Sequence, residues 1–163
     1  MNKKAQNDPE TAKKFFEQAF DLQASGQIDR AAYFFRRSIE FYPTCKAHTF
    51  LGWVYSLKGL YEDAIEECRQ AIKLNPRFGN PYNDIGAYLI RLRKFNEALP
   101  WLKKALNAPE YENYCYPYHN LGYIYEKKGD WNLALKYYHY AVDENRNYKP
   151  ARTALDRLLG KLN

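Results

Sequence analysis

The sequence predicts an all-α protein in which short helix pairs stack side by side into one solenoid. Residues 48–55 and 118–125 carry one shared pattern, reading H-x2-L-G-x2-Y and Y-x2-L-G-x2-Y. Small residues recur at four equivalent places, 33, 34 and 36 residues apart: Ala19, Gly52, Gly86 and Gly122. Apolar residues around them follow helical spacing. A period in the range of about 20–50 residues is typical of arrays whose units bury apolar surface against their neighbours.

Each unit is predicted to contain two helices joined by a short turn, at about residues 9–44, 45–78, 79–114 and 115–147. The turns fall at Gly26, Gly59, Arg93 and Gly129, and alanines then mark the second helices at Ala31, Ala64, Ala98 and Ala134. Asp8 before Pro9 and Asn80 before Pro81 are predicted N-caps, because proline fits the first turn of a helix. The longer third step comes from an inserted segment at 107–117.

The two ends of the chain depart from the repeat. Residues 148–162 begin a fifth first helix with no second helix after it, apolar on one face and charged on the other. That pattern is typical of a capping helix, which shields the last core surface. Residues 1–8 are predicted to be disordered, because polar termini are seldom held in place.

These patterns resemble the tetratricopeptide repeat, with W-x2-L-G-x2-Y in the first helix and A-x3-F in the second. The resemblance covers about residues 9–163, closely in units two and four and more loosely in unit one. It implies a right-handed superhelix whose first helices line a concave groove. It also implies that the groove holds a segment of a partner protein and that the module has no chemistry of its own.

Carrying the groove positions of the family onto this chain gives a largely aromatic surface. The residues predicted to bind are Phe16, Phe20, Phe50, Trp53, Asn80, Asn83, Asp84, Tyr116, His119, Asn120 and Tyr123. These positions lie off the stripe that packs each helix pair, yet many are large and apolar, which is typical of binding surfaces. Asparagine carries both a donor and an acceptor, so it suits contacts with a peptide backbone.

One known subclass of the family binds the C-terminal carboxylate of chaperones through lysine, arginine and asparagine. Counted from unit one, its five positions are Phe16, Phe20, Phe50, Asn80 and Asp84 here. Counted from unit two, they are Thr49, Trp53, Asp84, Tyr116 and Asn120. Neither set contains a basic residue, so we expect no carboxylate clamp. The expected ligand presents apolar or aromatic side chains, with room for a basic residue near Asp84.

Catalytic, metal and cofactor motifs are not found in the sequence. HExxH, CxxC, GxxxxGK[ST] and GxSxG are all missing. His48 lies on the packing stripe and is predicted to be a core residue, and His139 has no acidic or cysteine partner at helical spacing. The acidic cluster Glu62, Asp63, Glu66 and Glu67 is predicted to be a solvated face. We therefore expect no enzyme activity, no cofactor, no metal and no small-molecule substrate.

Charge and composition leave two alternatives to a peptide-binding adaptor. The 163 residues carry a net charge of +6 without a basic run. Single-stranded nucleic acid can bind to stacked rings and basic residues, but the basic residues here fall mainly in second helices. Self-association through the groove or the 107–117 segment is the other alternative. No apolar leader, no membrane span and no paired cysteine spacing occur, so we expect a cytoplasmic protein.

Overall fold

The computed structural model describes residues 7–162, and this part of the chain contains nine α-helices and no named strand. The helices are α1 (Pro9–Ala24), α2 (Ile28–Phe41), α3 (Cys45–Leu57), α4 (Tyr61–Leu74), α5 (Asn80–Arg91), α6 (Phe95–Leu106), α7 (Cys115–Lys127), α8 (Trp131–Glu144) and α9 (Lys149–Leu162). Each helix packs against the next one along the chain. The predicted all-α solenoid is confirmed.

The helix starts support one of the two predicted caps. Asp8 is the N-cap of α1, and its carboxylate accepts a hydrogen bond from the backbone N–H of Thr11 at 3.0 Å. Its own N–H donates to the carbonyl of Phe41 at 3.2 Å, so this end of the predicted disordered segment is held against α2. Residues 1–6 lie outside the described part. The prediction for Asn80 is wrong, because α5 begins at Asn80 and Gly79 is its N-cap.

The repeated glycines explain how closely the helices of one pair approach. A Cβ atom on Gly52 would lie 2.9 Å from the carbonyl oxygen of Ala64. On Gly86 it would lie 2.4 Å from a methyl carbon of Leu102, and on Gly122 it would lie 2.6 Å from the ring of Tyr138. The first helix therefore rests directly on the second at these points, which fixes the spacing of each pair.

The core follows the contacts between these pairs along the whole array. Buried residues at the N-terminal end come from α1, α2 and α3, and those at the C-terminal end come from α7, α8 and α9. Its largest fully buried side chains include Phe35, Leu51, Ile85, Leu102, Leu121, Tyr138 and Leu158. Because successive units share this buried surface, no pair is stabilised by its own contacts alone.

The turn inside unit three is unusual. Gly26, Gly59 and Gly129 occupy the left-handed region, with φ of 78°, 75° and 80°. Arg93 occupies the same place in unit three with φ of 60°. A side chain is disfavoured in this conformation, so the surrounding helices hold Arg93 in a strained position.

The inserted segment before α7 folds back onto the linker between α4 and α5. Gly79 donates its N–H to the carbonyl of Glu110 at 3.0 Å, and Glu110 donates its own to the carbonyl of Arg77 at 3.0 Å. The carboxylate of Glu110 also accepts bonds from Asn75 at 2.8 Å and from Arg77 at 3.0 Å. Tyr111 is buried against Gly79. Two connections that are distant in sequence thus form one packed unit.

The helix α9 is joined to α7 through a buried carboxylate. Glu126 of α7 is only 8% exposed. It accepts two hydrogen bonds from Arg157, at 2.5 and 2.7 Å, and one from the hydroxyl of Tyr138 at 2.8 Å. The bonds from Arg157 are the largest cause of the lowered pKa of Glu126, despite its burial.

Candidate functional site: the groove of the first helices

The candidate site is the surface formed by the first helix of each unit. Contacts join α3 to α5, α5 to α7 and α7 to α9, so these helices lie next to one another in a row. Their packing stripes turn toward the second helices. The residues beside the repeated glycines therefore line a shared surface across the array.

An aromatic cluster occupies the N-terminal part of this surface. The ring of Phe50 lies 5.5 Å from Phe16 and 5.6 Å from Phe20, both edge to face, and 5.8 Å from the buried Phe35. Phe20 remains 45% exposed. Trp53 is half-buried and packs on the same cluster. The cluster thus supports the fold through its buried rings, and Phe20 is its most exposed ring.

A polar group follows at the centre of the groove. The amide of Asn120 on α7 donates to the side-chain oxygen of Asn83 on α5 at 3.2 Å. Asn83 in turn donates to the carboxylate of Asp84 at 3.4 Å, which is near the limit of a hydrogen bond. Three of the predicted polar residues are therefore brought together, and they connect units three and four.

The carboxylate of Asp84 receives little electrostatic stabilisation from its neighbours. Burial raises the pKa of Asp84 to about 7, and the bond from Asn83 opposes that rise only in part. In the described part of the chain no basic side chain forms an ion pair with it. Among the described residues, none forms a hydrogen bond with the nearby buried hydroxyl of Tyr88. Burial, and then the charge of Asp84, raise the pKa of Tyr88.

These groups face a cavity of about 800 Å³ between α3, α5 and α7. Its walls include Trp53, Ser56, Lys58, Tyr61, Asp84, Tyr88, Arg91 and Asn120. Trp53 and Asp84 were predicted to lie in the groove, whereas Tyr61, Tyr88 and Arg91 were not. The aromatic cluster and the polar centre therefore meet at one cavity.

A second cavity of about 470 Å³ continues the groove toward α7. Its walls include Arg93, Phe95, His119, Asn120 and Tyr123. The ring of Tyr123 lies 6.4 Å from Phe95, and Lys127 lies over its face at 5.2 Å. Burial is the largest cause of the lowered pKa of His119, so its ring is mostly neutral at pH 7.

The predicted aromatic set is divided into two groups by the polar centre. Tyr116 lies beyond the second cavity, 42% exposed, with its ring 5.1 Å from Tyr148. His119 packs between Tyr148 at 5.5 Å and Tyr138 at 5.7 Å. Asn80 is half-buried at the start of α5 and does not line either cavity.

Sequence reasoning missed the groove residues that lie outside the first helices. Arg93 belongs to a turn, and Tyr61 and Phe95 begin second helices. The break in the glycine pattern at Arg93 was the one available signal. Glu67 was predicted to be solvated, and this is wrong: its carboxylate lies 2.6 Å from Nδ1 of His48. His48 is largely buried, with 12% of its side chain exposed.

Features of a reactive centre are scarce in the part of the chain that the structure describes. Residues 7–162 contain no group of three histidine, cysteine or acidic residues placed to hold a metal ion. Cys68 and Cys115 are buried, and burial raises the pKa of both thiols, which disfavours the reactive thiolate. None of the described helices combines the length and apolar character needed to cross a membrane.

Nine helices that pack in sequence order define this protein, over its described residues, as an all-α helical-repeat solenoid. Models of the tetratricopeptide repeat match residues 46–78, 82–108 and 118–147. The chain therefore belongs to the tetratricopeptide repeat family, and the resemblance is confirmed. Membership of this family supports a protein-interaction module.

Two curated relatives are similar to parts of the chain. An uncharacterized protein of Haemophilus influenzae is 31% identical over 74 residues, which are 45% of this chain and 41% of the relative. The uncharacterized protein ycf37 of Guillardia theta is 31% identical over 118 residues, 69% of this chain and 65% of that protein. The chain thus spans less than two thirds of the length of each.

Solved structures share the fold. The PilF protein of Pseudomonas aeruginosa superposes with a TM-score of 0.85 at 23% identity, over 93% of this chain and 69% of that one. PilW, a type IV pilus biogenesis factor, gives 0.83 at 22% identity, over 90% and 68%. YrrB, described as a protein with an unusual peptide-binding site, gives 0.68 at 20% identity, over 90% and 75%.

Proposed function

We propose that this protein is a non-catalytic adaptor that binds a peptide segment of a partner protein in the groove of its first helices. The proposal rests on the order in which different surfaces follow one another along this groove. A half-exposed aromatic cluster leads to a cavity, then to a pair of asparagines, and then to a second cavity. This order offers apolar contacts and backbone hydrogen bonds to one continuous segment.

The asparagine pair supports a peptide as the ligand. Asn83 and Asn120 use one bond to hold each other, and each amide retains further donor or acceptor capacity. A peptide backbone presents donors and acceptors at regular intervals, so it can bond to both amides while its side chains enter the cavities. The ligand can be extended or helical, since both forms can present anchors at this spacing.

The aromatic rings support apolar anchors in that peptide. Phe20 and Tyr116 are 45% and 42% exposed at the two ends of the groove. Burying such rings against a partner removes apolar surface from water at a gain of about 25 cal/mol per Å². Aromatic residues of this type often contribute most of the binding free energy at an interface.

The groove does not suit a peptide that ends in a free carboxylate. Its centre holds the carboxylate of Asp84, which would repel a second negative charge. Phe16, Phe20 and Phe50 occupy places at which a clamp needs basic or amide groups. We therefore propose an internal segment of the partner as the ligand, and we place the interaction in the cytoplasm.

The similar structures agree with an interaction role at the level of the fold. YrrB is described by its peptide-binding site, and PilW by its part in pilus biogenesis. We propose that this chain also serves an assembly by holding one of its components. Its nucleic-acid and self-association alternatives can be tested directly, by binding of a fluorescent oligouridine and by light scattering at two concentrations.

A displayed library of random 12-residue peptides tests the proposal. Peptides selected on the wild-type protein should bind at least tenfold more weakly to Trp53→Ala and to Phe20→Ala. The matched control is Tyr33→Ala, since Tyr33 is 52% exposed on the second helix α2. Equal binding to the groove variants and to the control would contradict the proposal. Circular dichroism confirms that each variant is folded.

A further inference from the structure

We propose that the cavity beside Asp84 is a pocket for an arginine side chain of the bound peptide. This inference rests on the proposed function and specifies one anchor of the ligand. Three features of the cavity carry it: an uncompensated carboxylate, basic neighbours that are already engaged, and aromatic walls.

Within residues 7–162 the carboxylate of Asp84 has no ion-pair partner. In this part of the chain its side chain accepts a hydrogen bond from the neutral amide of Asn83 at 3.4 Å. Asp84 is half-buried, and a carboxylate removed from much of its water without a cation or several donors is destabilising. A ligand that brings a positive charge into the cavity would remove this cost, so the site favours a cation over a neutral or acidic group.

The basic residues around the cavity are held by other contacts. Lys58, at the end of α3, forms an ion pair with Asp29 at 2.6 Å. Arg91, on α5 itself, donates from Nε to the hydroxyl of Tyr61 at 3.1 Å and lies over that ring at 5.8 Å. Both line the cavity, yet neither forms an ion pair with Asp84.

Among the described residues, the other elements packed around Asp84 do not supply a cation either. On α4 the nearby groups are the buried thiol of Cys68 and the carboxylate of Glu67, which is bonded to His48. On α7 the neighbour is the neutral amide of Asn120. From the inserted segment, Tyr111 is close enough for the charge of Asp84 to raise its pKa. A ligand can therefore supply the positive charge that these neighbours do not.

The remaining walls favour a guanidinium group over an ammonium group. Trp53, Tyr61 and Tyr88 present aromatic surface, on which a planar guanidinium stacks well. Its five N–H donors can serve the carboxylate of Asp84 and the amide oxygen of Asn120 together. An ammonium group has three donors around one atom and cannot span these acceptors in one plane.

The test uses the same peptide library on the wild type, on Asp84→Asn and on a control, Asp143→Asn. Asp143 is an exposed residue of α8 outside the cavities. Peptides selected on the wild type should share an arginine at one position. Replacing that arginine with glutamine should weaken binding at least tenfold on the wild type and on the control, but less than twofold on Asp84→Asn.

A pH series gives an independent readout. Affinity for the arginine peptide should fall several-fold as the pH is lowered from 8 to 6, because protonation removes the charge of Asp84. Asp84→Asn should show no such change. Selected peptides whose binding depends on the groove but which share no arginine would overturn this inference and leave the proposed function standing. Equal enrichment of lysine and arginine at one position would overturn the preference for guanidinium. Peptides that bind Trp53→Ala as tightly as the wild type would overturn both this inference and the proposed function.

Discussion

Arg157 on α9 donates two hydrogen bonds to Glu126 on α7, at 2.5 and 2.7 Å, across 31 positions of the chain. Glu126 stands four residues after Gly122, at a place that faces the groove in earlier units. Here α9 covers it. The helix α9 therefore does more than bury apolar surface, since its Arg157 also pairs with the buried carboxylate of Glu126.

We predict that Arg157→Met destabilises the protein by roughly 1–3 kcal/mol, because Glu126 is left buried without its cation. Urea denaturation measures the change. Arg152→Met is the matched control, as Arg152 is exposed on the same helix. Adding Glu126→Gln to Arg157→Met should restore part of the loss, and no recovery in the double variant would argue against unpaired charge as the cause.

The ion pair between Arg157 and Glu126 should contribute less to stability at low pH. The pKa of Glu126 is lowered from its ordinary value of 4.5 by the bonds from Arg157. A lowered pKa in the folded state gives stability that is present above about pH 4.5 and is lost as the pH falls through the lower, folded value. We predict a smaller difference between the wild type and Arg157→Met at pH 3 than at pH 7, measured by urea midpoints.

The contribution of Asp84 to stability should change with pH in the opposite direction. Its pKa rises from an ordinary 3.8 to about 7, so the folded protein holds its proton more tightly than the unfolded chain. The related stability is complete below about pH 4 and is lost as the pH rises through 7. We predict that Asp84→Asn is more stable than the wild type by roughly 1–3 kcal/mol at pH 8.

At pH 5 the difference between the same two proteins should be smaller, because the folded wild type then keeps the proton on Asp84 and only the unfolded chain is ionised. Urea denaturation at both pH values makes the comparison. A wild type that is the more stable of the two at pH 8 would show that the carboxylate is satisfied in some other way. The predicted result would mean that a residue useful for binding is kept at a cost in stability.

The turn at Arg93 gives a backbone test. Because φ is 60° there, glycine should be more stable than alanine at position 93 by about 1 kcal/mol. Both variants lose the same side chain, so the pair isolates the conformational cost. Thermal unfolding of Arg93→Gly and Arg93→Ala measures it. The same pair of replacements at an exposed helical site should reverse the order.

Close packing at Gly79 gives a steric test. A Cβ there would lie 2.3 Å from Cβ of Tyr111, and neither atom belongs to a flexible end. We predict that Gly79→Ala destabilises the protein by about 2 kcal/mol, as overpacked cores do. Gly160→Ala is the control, since a Cβ at Gly160 meets nothing within 4 Å. Equal thermal midpoints for the two variants would contradict the prediction.

The repeat allowed the fold to be predicted because its small residues have one geometric role. Gly52, Gly86 and Gly122 all lie where the second helix of a unit crosses the first, so their spacing in the sequence predicts the length and order of the helix pairs. The site was harder to predict. Tyr61 and Arg91 reach the groove through long side chains from helix ends, and that reach depends on neighbours that the spacing does not reveal. The bond between His48 and Glu67 likewise joins two helices across 19 positions.

The fold-back of Glu110 and Tyr111 also has a mechanical consequence. Under tension, a solenoid extends by small rotations at each junction between units. Here the junction before α5 is bonded to the segment that precedes α7, so unit three cannot rotate freely against both of its neighbours. An extending force should therefore act first at the α2–α3 junction. The aromatic end of the groove would move while the region around Asp84 keeps its shape.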